Sequence, residues 1–143
     1  MTLTPTPRLA LYSAEDEVVA EVGPRLGTFR AVEHFLERTL LDDGVAQRYP
    51  HVPLDVSLIR RGRAATCSFA HAPTRTIAIR SGSFDALTVL HELAHLIVGP
   101  DRGHDERFVA VELDLVRLRC GFEAFALLRR ALDRHGVRYQ DVP

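Results

Sequence analysis

Two histidines four residues apart, His91 and His95 in LHELAH, and a third nine positions on, His104 in GHDERF, are the residues here best suited to chemistry. On a helix of 3.6 residues per turn, positions four apart lie on one face, so both imidazoles of the pair can reach one small cation. Glu92 follows the first of them. An HExxH pattern on a helix supplies two zinc ligands and a carboxylate that handles the protons of a water activated by the metal. His104 is the expected third ligand. Asp101, Asp105, Glu106 and Glu112 compete with it, because some zinc hydrolases use a downstream carboxylate. The imidazole is favoured because a short loop returns it to the helix and because nitrogen suits zinc. Without a metal the same groups would be polar residues buried in a core, which is costly.

The flanks support the metal reading. Thr88, Val89, Leu90, Leu93, Ala94, Leu96 and Ile97 are all uncharged, as expected of a buried helix that turns only His91, Glu92 and His95 towards a cleft. Gly99 and Pro100 end that helix, and the loop Pro100 to Gly103 can bring His104 back. Ser83 is the expected N-cap, with Asp85 favoured by the dipole of the first turn. Glu92 is expected to act as general base. A second group usually stabilises the oxyanion, and Tyr139, Arg138 and His71 are candidates. Asp105 or Glu112 could orient a histidine from behind.

These residues need elements to hold them. Residues 1–7, with two prolines among threonines, read as a flexible tail, and residues 8–143 as one domain. Arg8 to Tyr12 is a short apolar run that suits a strand. Ser13 and Asp16 then open a helix reaching Val22, before Gly23-Pro24. Thr28 can cap a second helix, with Phe29, Val32, Phe35, Leu36 and Leu40 at helical spacing and Asp42-Asp43-Gly44 as its stop. From Val52 the period becomes two: Leu54, Val56 and Leu58 predict a strand, the turn Arg61-Gly62-Arg63 a hairpin to Ala65–Ala70, and Arg75–Arg80 a third strand. After His104 come a helix with Phe108, Val111, Leu115 and Leu118 on one stripe, ending at Cys120-Gly121, and a last helix from Phe122 to His135. Helices, then a small sheet, then helices define an α+β domain.

Composition narrows the class. The chain has 143 residues, 46% of them hydrophobic and 26% charged, which suits a soluble globular domain. No membrane span or signal peptide is legible, so a cytoplasmic location is expected. Cys67 and Cys120 form no CxxC pair, so no disulfide framework or zinc ribbon is implied, and both read as small core residues. A net charge of −1 gives no global pull towards nucleic acid. Two arginine clusters (Arg60, Arg61 and Arg63; Arg129, Arg130, Arg134 and Arg138) read as solvated surface, with a nucleic-acid contact as the sharper alternative.

The segments LYSAED, RYPHVPL, RRGRAA, RTIAIR, LHELAH and GHDERF together resemble the SprT-like and WLM-like zincin metallopeptidases, and most of all a family of small actinobacterial and phage metallohydrolases related to SprT. The likeness covers roughly residues 8 to 139, with the metal motif its most specific part. It implies a minimal zincin fold, a small antiparallel or mixed sheet of three to four strands packed with helices. It also implies Zn2+ on His91, His95 and His104, Glu92 as base, and a peptide or protein substrate. In such folds the strand before the active-site helix borders the cleft, which here would be Arg75–Arg80, offering its backbone to a peptide. The C-terminal zinc ribbon of many bacterial SprT proteins has no counterpart in this sequence. Two other functions compete: a regulatory metal-binding domain of the ImmA/IrrE kind, whose downstream Glu-rich motif ERFVAVEL matches only loosely, and a nucleic-acid-associated protein using the arginine clusters.

Overall fold

The computed structural model describes residues 6–22, 25–52, 55–65 and 67–141, which form six α-helices, two 3-10 turns and a three-stranded mixed sheet. The architecture is α+β. Among these residues no helix is long and apolar enough to cross a membrane. Residues 1–5 of the expected tail lie outside the described residues, and Pro7 already belongs to a helix.

That helix, α1 (Pro7–Val22), corrects the expectation of a strand over Arg8–Tyr12. Pro7 stands at its first position, where a missing N–H costs nothing, and the carbonyl of Thr6 accepts from Ala10 N at 2.9 Å. Leu11, Ala14 and Val18 then form one buried stripe at spacings of three and four. Ser13 is therefore inside the helix and caps nothing. In α2 (Phe29–Leu40), Thr28 is the cap that the sequence predicts, its Oγ1 accepting from Ala31 N at 3.1 Å. Asp42 ends α2 by capping a further short helix, α3 (Asp43–Arg48).

The sheet departs from the expected hairpin. Its strands are β1 (Ser57–Arg61), β2 (Phe69–His71) and β3 (Thr76–Arg80), in the order β1-β3-β2. β3 pairs parallel to β1 and antiparallel to β2. The predicted turn at Arg61-Gly62-Arg63 leaves β1 without joining it to β2, and Leu54 of the expected first strand lies outside the described residues. The real hairpin links β2 to β3 through a 3-10 turn, Ala72–Thr74, and Arg75 in the left-handed region at φ 50°. Burial explains the order: Ile77, Ala78 and Ile79 are buried on both faces, so TIAIR takes the middle.

Behind the sheet lies α4 (Ala86–Val98), which carries LHELAH and touches β2, β3, α2 and α5. Its N-cap is Asp85, not Ser83: Asp85 Oδ1 accepts from Thr88 N at 2.8 Å and Thr88 Oγ1 at 2.9 Å. Ala86 to Ala94 are buried except Thr88, so the uncharged flanks do face the core. After a 3-10 turn, Pro100–Arg102, come α5 (Glu106–Cys120) and α6 (Phe122–Arg134). Nine consecutive residues of α5, Phe108 to Val116, are buried between α4 and α6, and α6 holds α1. Of the two cysteines, Cys120 is half-buried in the core and Cys67 is exposed, contrary to expectation.

Candidate metal centre

Helical periodicity places His91 and His95 one turn apart on α4, and the turn Pro100–Arg102 folds His104 over them. His104 Nε2 lies 3.1 Å from His95 Nε2 and 3.2 Å from His91 Nε2. Three nitrogens on one tetrahedral ion with bonds near 2.0–2.1 Å would stand about 3.3 Å apart. The three imidazoles could therefore hold a metal ion. Of the competing carboxylates, Asp101, Asp105 and Glu106 are exposed and Glu112 reaches the opposite nitrogen of His91. Asp105 orients no histidine; its Oδ1 caps α5 by accepting from Phe108 N at 2.9 Å.

The acids behind His91, and the neutral state of His95 and His104, suit a cation. His91 Nδ1 sits 2.5 Å from Glu15 Oε2 and 3.0 Å from Glu112 Oε2. Facing two acids, Nδ1 carries a hydrogen in either protonation state, so Nε2, which faces the other two imidazoles, is the nitrogen a metal would take, in place of a proton. Burial works against charge on His91, but Glu15 and Glu112 outweigh it and hold its pKa well above the usual imidazole value. Burial, with the neighbouring His91, lowers His95 to about 3 and His104 to about 4, so both stay neutral, the form that binds metals. Burial and then the charge of Glu112 push the Glu15 carboxyl well up. A second ion between Glu15, His91 and Glu112 is a poorer account of that cluster, because 2.5 Å is too close for two ligands of one metal and fits a hydrogen bond.

Glu92 Oε1 lies 3.8 Å from His91 Nε2, and its buried Oε2 has no partner among the described residues. Burial raises its pKa to about 7, with Glu112 adding and His91 opposing. Phe108 floors the site: it stacks on His95 at 4.3 Å and meets His91 and His104 edge-on at 4.9 and 5.0 Å. Tyr12 closes the side, its ring 5.8 Å from His91 and 5.4 Å from His104. In front lies a cleft of about 430 Å³, lined by Tyr12, Glu15, Cys67, Ser68, His91 and Glu92 among others.

None of the three oxyanion candidates lines the cleft in front of His91 and Glu92. Tyr139 donates to Asp133 at 2.8 Å, His71 contacts Thr74, and Arg138 is exposed. Arg75–Arg80 cannot accept a peptide either, since β3 has a strand on each side. Sequence reasoning missed Glu15 and Tyr12. The signal was available: once Pro7–Val22 is one helix, Glu15 falls within the stripe of Leu11, Ala14 and Val18, an acid where an apolar residue is expected.

No protein-family model matches this chain, and neither a curated protein nor a solved structure matches it.

Proposed function

We propose that the chain is a zinc-dependent hydrolase of peptide bonds, a minimal zincin of the SprT-like kind. The observation that carries this reading is the convergence of three Nε2 atoms beside Glu92, whose Oε2 has no partner among the described residues, with His91 and Glu92 lining an open cleft. His91, His95 and His104 would hold the metal. When bound, zinc supplies a Lewis acid that polarises a carbonyl and acidifies water.

The chain's own residues do the rest. Glu92 accepts a proton at its free carboxylate oxygen and returns it to the leaving amine. Glu15 and Glu112 fix the His91 ring by its Nδ1 hydrogen. Tyr12, whose hydroxyl accepts from Arg8 Nε at 3.2 Å and keeps its own hydrogen to give, takes the oxyanion role expected of Tyr139, Arg138 or His71. A peptide would lie along β2, the edge strand on the side of α4, instead of along β3.

Two variants test the reading. Glu92→Gln is expected to keep zinc and fold while losing peptide hydrolysis by about 10² to 10⁴-fold, followed with quenched fluorescent peptides. His104→Ala is expected to lose most bound zinc by elemental analysis, and Glu106→Ala to keep it. Unchanged hydrolysis in Glu92→Gln would refute the mechanism. Zinc without hydrolysis in the native protein would leave a regulatory metal-binding domain.

A further inference from the structure

The cleft in front of His91 and Glu92 continues into a second hollow of about 520 Å³, with Val19, Gly82 and Asp85 lining both. This outer hollow is basic. Arg25, arriving after α1, and Arg60 and Arg63, at the end of β1, converge on it from distant parts of the chain, and all three are exposed. The ion pairs of the described residues engage other arginines: Arg75 with Asp55, Arg102 with Asp105, Arg119 with Asp42 and Arg134 with Glu17. The one acid among the described lining residues, Asp85, spends its Oδ1 on the cap of α4. Its charge acts on Arg25, with which it also forms a β-bridge, which leaves Arg60 and Arg63 facing the hollow with no ion pair among the described residues. The same wall holds Ser81, whose side chain is buried and whose Oγ has no hydrogen-bond partner among the described residues.

Across the histidines the groove is different. His95 borders a smaller hollow of about 200 Å³ with Ala70, Ala72, Leu96, Pro100 and Gly103, and its described lining residues include no acid or arginine. A ligand crossing the centre thus meets three guanidinium groups on one side and small apolar residues on the other. Guanidinium groups recognise carboxylates through forked, charge-assisted hydrogen bonds, and a serine hydroxyl can add a further donor.

We propose that the Arg25–Arg60–Arg63 hollow is a recognition subsite for a carboxylate of the peptide substrate, either an Asp or Glu side chain or a free C-terminus, near the bond presented to Glu92. The choice of ligand class rests on the peptidase reading above. The subsite sets preference and takes no part in bond cleavage. Because its arginines are exposed, the preference weakens as salt screens it.

The test measures binding and cleavage separately. Zinc-loaded native protein and Glu92→Gln are titrated, by fluorescence anisotropy at low salt, with labelled Ala/Gly decapeptides. One carries a central Glu and an amidated end, one a Gln and an amidated end, and one a Gln and a free carboxylate; a short oligothymidylate is the fourth probe. A peptide with either carboxylate is expected to bind about tenfold tighter than the amidated Gln peptide, and whichever does so identifies the source. The double substitution Arg60→Gln with Arg63→Gln is expected to remove that difference while zinc content and thermal unfolding stay as in the native protein. Equal binding of all three peptides, or a carboxylate preference that survives the double substitution, overturns the subsite. So does an oligothymidylate that binds tighter than any peptide and is lost with the arginines. Native protein that binds by carboxylate but cleaves none of the peptides overturns the peptidase reading and leaves the subsite; cleavage without carboxylate preference does the reverse.

Discussion

Glu112 and Asp114 are both fully buried acids on α5, two residues apart, yet they sit in opposite surroundings. Two residues along a helix is a turn of about 200°, so the two carboxylates leave α5 on opposite sides. Asp114 accepts from Tyr49 Oη at 2.8 Å and from Arg117 at 3.0 Å, with Arg48 at 3.8 Å. Among the described residues Glu112 has no donor to itself: its nearest is His91 Nδ1 at 3.0 Å, and that nitrogen lies closer to Glu15, at 2.5 Å. One acid is neutralised and hydrogen-bonded within its own corner of the fold. The other is left short of partners beside His91, one of three histidines that could hold a metal ion. A buried charge that is fully paired ties elements together, whereas one left under-satisfied at such cost marks a place where something else is expected to bind.

The contrast can be broken by substitution. The largest effect is expected from Asp114→Asn, which leaves the guanidinium groups of Arg48 and Arg117 facing a neutral amide. Stability should fall by about 3 kcal/mol in denaturant unfolding, with zinc affinity unchanged. An equal loss of zinc affinity would erase the distinction between the two acids. Next, Glu112→Gln and Glu15→Gln should each weaken zinc binding about 10 to 100-fold, measured by competition with a chromophoric chelator, at small cost to the zinc-free fold. Because both act on one N–H, the double variant should lose less than the sum of the two. The smallest effect belongs to Asp105→Ala, which removes the α5 cap: about 1 kcal/mol of stability, and less zinc affinity lost than with Glu112→Gln. If Asp105→Ala weakened zinc more than Glu112→Gln, the acid behind the histidines would have been misassigned.

The front of the site was legible because its parts are local. His91, Glu92 and His95 need only a helix, and His104 needs only the short turn after Gly99. Glu112 was one of two downstream acids that the sequence offered to orient a histidine, without a signal to choose between them; Asp105 caps α5 instead, while Glu112 reaches His91. Glu15 was not legible, since it meets His91 across 76 residues and the run before it resembled a strand. Strand order failed for a related reason. Alternation within β1, β2 and β3 says which face is apolar, but it does not say that the parallel partner of β1 is β3. Arg25 joined Arg60 and Arg63 only through the fold, while the sequence had grouped Arg61 with them; its guanidinium instead lies over Phe69 and donates to Cys67 O at 2.6 Å.

The attachment of α1 has a consequence in time. Glu15 reaches His91 only while α1 is docked on α6, where Glu17 pairs with Arg134 and with His135 at 2.6 Å. During synthesis α1 is made before α6, the helix that docks it, and α4 with its HELAH lies between them. A partly made chain that already displays HELAH therefore lacks the acid that steadies its first histidine. Such a chain is expected to hold a metal ion weakly at His91 until α6 has been made and has docked α1.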